Sequence, residues 1–228
     1  MQYNDFSGLI LVNKPIGITS FKLVHIIRKK LKVKKVGHCG TLDPLASGLM
    51  IVLVGKYTKL QDKFMKQDKV YCATVKLGIK TDSGDLDGKI ISQSDYSHVT
   101  KDLIEQTCKS FVGKIKQVPP MYSALKVNGQ KLYELARKGV TVERKPREIT
   151  IYNIDLTDYK KDNFSIRVKC SSGTYIRTLA EDIGTKLKTD TVLTNLVREE
   201  IGKYKLTDAI NIDDIKENDN SCLKQIDF

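Results

Sequence analysis

Residues 49–55 read LMIVLVG, a run with no polar side chain in it. A strand of this kind has no face for water, so it belongs inside a sheet that is covered on both sides. Immediately before it lies GHCGTLDPLASG, residues 37 to 48, too rich in glycine, proline and small residues for regular structure. A loop of permissive backbone therefore feeds straight into the core.

Further strands are expected at GLILVNKP, at DKVYCATVKLG with Tyr71, Ala73, Val75 and Leu77 on one face, and at VGKIKQ, REITIYNIDL, FSIRVKC and TVLTNLVRE. Helical spacing marks SFKLVHIIRKKL, which Thr19 or Ser20 can cap and whose apolar stripe is Phe21, Val24, Ile27 and Leu31. It also marks a short helix in KYTKLQDKFMKQ, residues 99 to 111, QKLYELARKG ending at Gly139, and TYIRTLAEDIGTKLK with Ile176, Ala180, Ile183 and Leu187 in register. The stretch from Val33 to Gly48 is read as irregular throughout. Strands outnumber helices and the connections are uneven, so the fold class is α/β (α+β), with a large, mostly antiparallel sheet flanked by helices and loops. Regular βαβ alternation, Walker A and GxGxxG are all missing from the sequence, which lowers the case for a nucleotide cofactor.

With 228 residues, 40% of them hydrophobic, the chain is long enough to bury a core. Its net charge of +12 favours a polyanionic partner, nucleic acid first, over a merely solvated lysine-rich surface. The charge is uneven: residues 207–228 carry −4 and the remainder +16. Five cysteines at 39, 72, 108, 170 and 222, with no CxxC pair, imply neither a disulfide framework nor a zinc knuckle. The N-terminal stretch does not read as a signal peptide, and the longest apolar runs are too short to cross a membrane, so a cytoplasmic protein is expected.

Candidate chemistry is sparse. His25, His38 and His98 do not cluster with acids or cysteines at ligand spacing, and His25 reads as solvated or phosphate-facing. GxSxG is absent. TDSGDLDG fails as a calcium loop, because Gly88 at its sixth position puts Ser94 where a bidentate glutamate is needed. What remains is Asp43. Gly37 and Gly40 permit unusual backbone there, Pro44 disfavours α geometry at Asp43, and Ala46, Ser47 and Gly48 let another chain segment approach. Such a carboxylate suits a nucleophile or base, and equally an Asx-type turn.

The stretch GHCGTLDPLASGLMIVLVGKYTK closely resembles the signature of the TruB family of tRNA pseudouridine synthases, in which GH, GTLDP, LA and G are followed by an apolar strand and GxxTK. Further matches lie in order at LVNKPIGITSF, DKVYCATVKLGIKTDSGDLDG, QVPPMYSALKVNGQKLYELARKG and CSSGTYIRTLAEDIG. The resemblance runs from about residue 8 to about residue 206. It implies a pseudouridine synthase fold and the conversion of uridine 55 in the tRNA T-loop to pseudouridine, with no metal or organic cofactor. Asp43 corresponds to the nucleophile, and His38 to the histidine that fills the space left by a flipped nucleotide. Tyr71 corresponds to the tyrosine stacking on the target base, its hydroxyl placed for proton handling, and Tyr175 to a tyrosine lining the pocket. Arg177 corresponds to the arginine pairing with the nucleophile, and Leu196 to an apolar pocket residue. On residue pattern alone, His38 reads as a turn residue, Tyr71 as core and Arg177 as surface.

The same resemblance implies a catalytic domain over residues 1–206, with a mobile thumb at about 119–147, an acidic segment at 207–228 and no PUA-type domain. RNA backbone contacts are expected from Lys34 and Lys35, within a cluster of Arg28, Lys29, Lys30 and Lys32, and from Lys131, Arg137, Lys138 and Arg144, with Lys145 and Arg147 alongside. Cys39 and Ser47 stand where the family commonly has threonine. The expected partner is the T-arm of tRNA, bound by a monomer without a guide RNA or membrane contact. Two alternatives remain: a non-catalytic RNA-binding or RNA-folding protein on this scaffold, and a guide-dependent synthase.

Overall fold

The computed structural model describes residues 2–127 and 129–225. Two points of the sequence reading therefore extend past it: residue 128 of the thumb segment and residues 226–228 of the acidic segment lie outside the described residues. The chain divides into two units, Met1–Tyr71 with Val197–Phe228 and Cys72–Leu196. In chain order the elements are β1 (Gly8–Lys14), α1 (Ser20–Leu31), β2 (Val36–His38), β3 (Ser47–Val54), a 3-10 turn (Gly55–Leu60), α2 (Gln61–Met65) and β4 (Lys69–Leu77). Then come β5 (Ile79–Thr81), β6 (Ile90–Gln93), α3 (Lys101–Lys109), β7 (Gly113–Gln117), β8 (Lys126–Val127), β9 (Gln130–Lys131) and α4 (Leu132–Arg137). The chain continues with β10 (Arg147–Lys160), β11 (Asn163–Cys170), α5 (Ile176–Leu187), β12 (Thr191–Ile201), β13 (Tyr204–Lys205) and β14 (Ile210–Asn211). Ten of these strands belong to one large, mostly antiparallel sheet, as the strand-rich pattern predicts.

In the first unit β3 is central. It pairs antiparallel with β1 from Gly8↔Val54 to Lys14↔Gly48, and its beginning runs parallel to Val197 and Arg198 of β12. Every residue from Gly48 to Val54 is buried. Leu49, Ile51 and Leu53 join Leu9, Leu11, Cys39, Phe64 and Ile201 in one cluster, while Met50, Val52 and Val54 on the opposite face are equally inaccessible. Each such aliphatic side chain contributes about 1.5–3 kcal/mol relative to exposure. The unbroken apolar run thus has the two-sided cover its composition requires.

Two readings need correction. The segment from Val33 to Gly48 is not irregular throughout, because Val36–His38 pairs antiparallel with the end of β3, His38 opposite Val52. Backbone hydrogen bonding to a neighbouring edge overrides the turn-rich composition. In α1, Thr19 is the cap, its side chain accepting from the Lys22 amide, but the buried stripe is Ser20, Leu23, Ile27 and Leu31. Phe21 is 77% exposed. Ser20 faces inward because its hydroxyl is engaged by Leu42, and that contact sets the rotation of the helix.

The acidic C-terminal stretch is built into the first unit as far as it is described. β14 runs parallel to β1, and Lys224 exchanges two backbone hydrogen bonds with Leu9. The outer edge of β1 is thereby covered rather than left as a template for another strand. Lys30 Nζ donates to the carbonyls of Ile212 (3.1 Å) and Ile215 (2.9 Å), which anchors the same stretch to α1.

In the second unit β10 and β11 form an antiparallel hairpin, and β7 pairs along β10 from Arg147↔Gln117 to Ile151↔Gly113. On the β4 strand, alternate residues from Tyr71 to Leu77 are buried, as the alternation predicts.

Candidate active site

Asp43 is half-buried, between the buried Leu42 and the exposed Pro44. The loop around it is fixed from three directions. Ser20 Oγ accepts the Leu42 amide (2.8 Å) and donates to the Leu42 carbonyl (2.9 Å). The Gly17 amide donates to the Pro44 carbonyl (2.9 Å). From beneath, Arg198 Nε donates to the Leu49 carbonyl (2.8 Å) and Nη2 to that of Gly40 (3.1 Å), so one guanidinium joins both ends of the loop. Gly48, at φ +105°, lies so close to Arg198 that a Cβ would stand 2.4 Å from its carbonyl oxygen. The small residues at 46–48 do admit another segment, and at Gly48 that segment is β12.

Two buried cations accompany this loop. Arg198 is 1% exposed and Lys14 is fully buried, with its Nζ donating to the carbonyls of Pro15 and Ile18, both at 2.8 Å. Burial pulls the Lys14 pKa down to about 8, and the Asp43 carboxylate opposes that shift while Arg198 adds to it. Lys14 therefore lies within the electrostatic reach of Asp43. Burial also holds the His38 imidazole below its usual pKa, with the charge of Arg198 the second cause, so His38 is neutral at neutral pH. Its Nδ1 is buried without a hydrogen-bond partner among the described residues. The adjoining Cys39 thiol is pushed up to about 12 by burial and stays protonated.

The second unit holds Tyr175, Arg177 and Leu196. Arg177, which pattern alone places on the surface, is 5% exposed near the start of α5. Its Nη1 and Nη2 donate to the carbonyls of Ser83 and Tyr122, each at 2.7 Å, and its Nε lies 3.6 Å from the Asp85 carboxylate. TDSGDLDG thus has a definite role within this unit: it presents a carboxylate and a carbonyl to a buried arginine. Among the described residues no group of three acids, histidines or cysteines is placed to hold a metal ion. The half-buried Tyr175 is held by its backbone, whose amide donates to the Gln117 side-chain oxygen Oε1 (2.8 Å) and whose carbonyl accepts from Gln117 Nε2 (3.1 Å). Leu196 is 6% exposed on β12, and Tyr71 is buried on β4 in the first unit.

The basic residues divide by what they touch. Lys34 and Lys35 are exposed, Lys34 lying 5.6 Å from the Tyr3 ring centroid. Lys131 and Arg137 each sit 5.5 Å from the Tyr133 ring, and Lys138 is exposed. Arg144 is half-buried and donates to the Pro119 carbonyl (3.3 Å), and Lys30 is occupied by the C-terminal stretch, so these two are engaged within the protein.

The family model described as TruB family pseudouridylate synthase (N terminal domain) matches residues 28–176, which include the Asp43 loop, Tyr71 and Tyr175. The chain belongs to the TruB family. A TruB-family relative from Endomicrobium trichonymphae, named tRNA pseudouridine synthase B, is 51% identical over 224 residues, covering 98% of this chain and 97% of its own. One from Clostridium perfringens with the same name is 50% identical over 212 residues, 92% of this chain and 72% of its own. Among solved structures, a Cbf5-Nop10-Gar1 complex superposes with a TM-score of 0.72 at 31% identity, covering 91% of this chain and 53% of that one. An H/ACA RNP bound to a substrate RNA containing 2'-deoxyuridine gives 0.67 at 28% identity, covering 91% and 51%. This chain therefore spans about half the length of those structural relatives.

Sequence reasoning missed Lys14, Ser20 and Arg198 as neighbours of the Asp43 loop. Lys14 does carry a signal, a single cation closing an otherwise buried strand, whereas Arg198 stands on a strand of mixed exposure beside Glu199 and Glu200. The Lys14 signal is weak, because a strand end or an edge strand gives the same pattern.

Proposed function

We propose that this chain isomerises uridine 55 in the T-loop of tRNA to pseudouridine, with Asp43 as the nucleophile toward a flipped-out base. The observation that carries the reading is the setting of Asp43: a carboxylate on a loop clamped by Ser20, Gly17 and Arg198, with the ammonium of Lys14 in its field. A loop held this firmly keeps its reacting group in position, and neighbouring positive charge favours the anionic form a nucleophile needs.

The chemistry balances without an added reactant. The carboxylate attacks the nucleotide, the C1′–N1 bond breaks, and the base turns and rejoins C1′ through C5. The C5 proton is then lost, N1 gains one, and the aspartate is released. Tyr71 stacks on the target base, and its hydroxyl is available for the proton movements. Tyr175 and Leu196 line the pocket, and Arg177 is assigned as the partner of the nucleophile. His38 fills the gap left in the RNA stack, and its neutral ring supports that role, since an uncharged side chain enters a base stack at lower desolvation cost than a charged one. The catalytic region is residues 1–206, with 119–147 acting as the thumb and Lys34, Lys35, Lys131, Arg137 and Lys138 contacting RNA phosphates.

The test is a single-turnover assay on a T-arm minihelix, read together with the binding constant. Wild-type protein is expected to form pseudouridine at the position equivalent to 55, and Asp43→Asn to bind the RNA comparably and form none. Turnover by Asp43→Asn would remove the nucleophile assignment. Binding by wild type without product would favour a non-catalytic RNA-binding role.

A further inference from the structure

Among the described residues the two most exposed large apolar side chains are Phe21, at 77%, and Ile16, at 60%. Isolated exposed apolar residues are ordinary. These two are not placed at random. Ile16 precedes Gly17, whose amide is bonded to Pro44, and Phe21 follows Ser20, whose hydroxyl is bonded to Leu42. Both therefore stand on segments hydrogen-bonded to the residues on either side of Asp43.

The surroundings of Phe21 indicate the class of ligand. α1 contains no acidic residue. At helical spacing from Phe21, on the exposed face, lie His25, Arg28, Lys29 and Lys32, with Arg28 Nη2 3.3 Å from His25 Nδ1. That face leads into a groove of about 510 Å³ lined by Tyr3, His25, Arg28, Lys29, Lys32 and Lys34. Eleven residues of helix rise separate Phe21 from Lys32, roughly 16 Å, which accommodates more than one phosphate. One aromatic ring at the head of a stripe of cations is the composition of a single-strand nucleic-acid platform, in which a base stacks and the backbone follows the charge. A protein-binding patch would have an apolar centre with a polar rim instead.

We propose that Phe21 is a stacking platform for an unpaired base of the RNA loop, next to but distinct from the base that is isomerised, and that Arg28, Lys29 and Lys32 carry the adjoining phosphates. This inference rests on the RNA-modifying reading above. It makes the start of α1 a specificity element that recognises a splayed loop, while the Asp43 loop does the chemistry.

The experiment compares wild type, Phe21→Ala and Phe21→Tyr on the T-arm minihelix, with 2-aminopurine placed in turn at each loop position other than the target. Wild type is expected to quench one such probe. Phe21→Ala is expected to lose that quenching and about tenfold in affinity, while keeping its melting temperature. Phe21→Tyr restores both signals. Unchanged affinity and quenching in Phe21→Ala would overturn the proposal, and so would an equal loss of affinity for a hairpin-free duplex, which offers no unpaired base. Absence of pseudouridine with wild-type protein would instead count against the functional reading, and the quenching comparison would still decide the platform.

Discussion

Ser20 and Leu42 are joined by two hydrogen bonds through one hydroxyl, which accepts the Leu42 amide at 2.8 Å and donates to the Leu42 carbonyl at 2.9 Å. The first turn of α1 and the residue preceding Asp43 therefore behave as one piece. Both backbone groups are buried, so the hydroxyl replaces water that cannot reach them.

Ser20→Ala removes that replacement. The variant is expected to lose about 1–3 kcal/mol of stability from the two stranded backbone groups. Its rate of pseudouridine formation should fall more than its RNA affinity, because the loop carrying Asp43 loosens while the exposed cations stay in place. Urea unfolding and single-turnover kinetics measure the two effects. A loss confined to affinity would contradict this account.

Gly48→Ala should be among the most damaging small substitutions. It places a methyl 2.4 Å from the Arg198 carbonyl oxygen at a φ of +105°, so backbone strain adds to steric overlap. About 3 kcal/mol or more is expected. Gly17→Ala, at φ +86° with open space around its Cβ position, isolates the strain alone and should cost less. Thermal unfolding of the two variants side by side checks the order.

Lys14 predicts a pH dependence of stability. The folded chain releases the Lys14 proton near pH 8, whereas an unfolded chain keeps it to about 10.5. Between those values the unfolded state binds more protons, so this group's contribution to stability rises with pH across that window and is flat below it. The urea midpoint of wild type relative to Lys14→Met should therefore move in favour of wild type between pH 8 and 10. A difference that stays constant would mean that Lys14 is not desolvated by folding.

Asp85 and Arg177 form a nearly buried ion pair, with side chains 7% and 5% exposed. Asp85→Asn is expected to cost about 3 kcal/mol, at the low end for breaking a buried pair by removing one partner. The double variant Asp85→Asn/Arg177→Gln should cost less than the two single variants combined, with a coupling of about 1 kcal/mol or more. Additive losses in a double-mutant cycle would show that the two groups stabilise the fold independently.

Much of the architecture is legible from periodicity. LMIVLVG announces a two-sided strand, the alternation from Tyr71 to Leu77 appears as an alternating burial pattern, and Thr19 caps α1. Phe21 was misplaced because helical spacing gives a stripe's period but not its rotation. A polar residue, Ser20, occupies the inward position that an apolar count passes over. Arg177 shows the complementary failure. A charged residue reads as exposed until its acceptors are known, and here they are carbonyls of Ser83 and Tyr122, 94 and 55 positions away.

The sequence by itself determined the strand-rich class, the TruB-family membership carried by GHCGTLDPLASG and its companion motifs, and the position of the candidate nucleophile at Asp43. Only the tertiary structure decided that Lys14 and Arg198 are buried beside that loop and that Phe21 stands exposed next to it. The physical reason is that a buried cation is tolerated only where acceptors converge on it. For Arg198 those acceptors, the carbonyls of Leu49 and Gly40, come from 149 and 158 positions away. Local pattern carries no record of such distant convergence, and it emerges only when β12 is laid against Gly48.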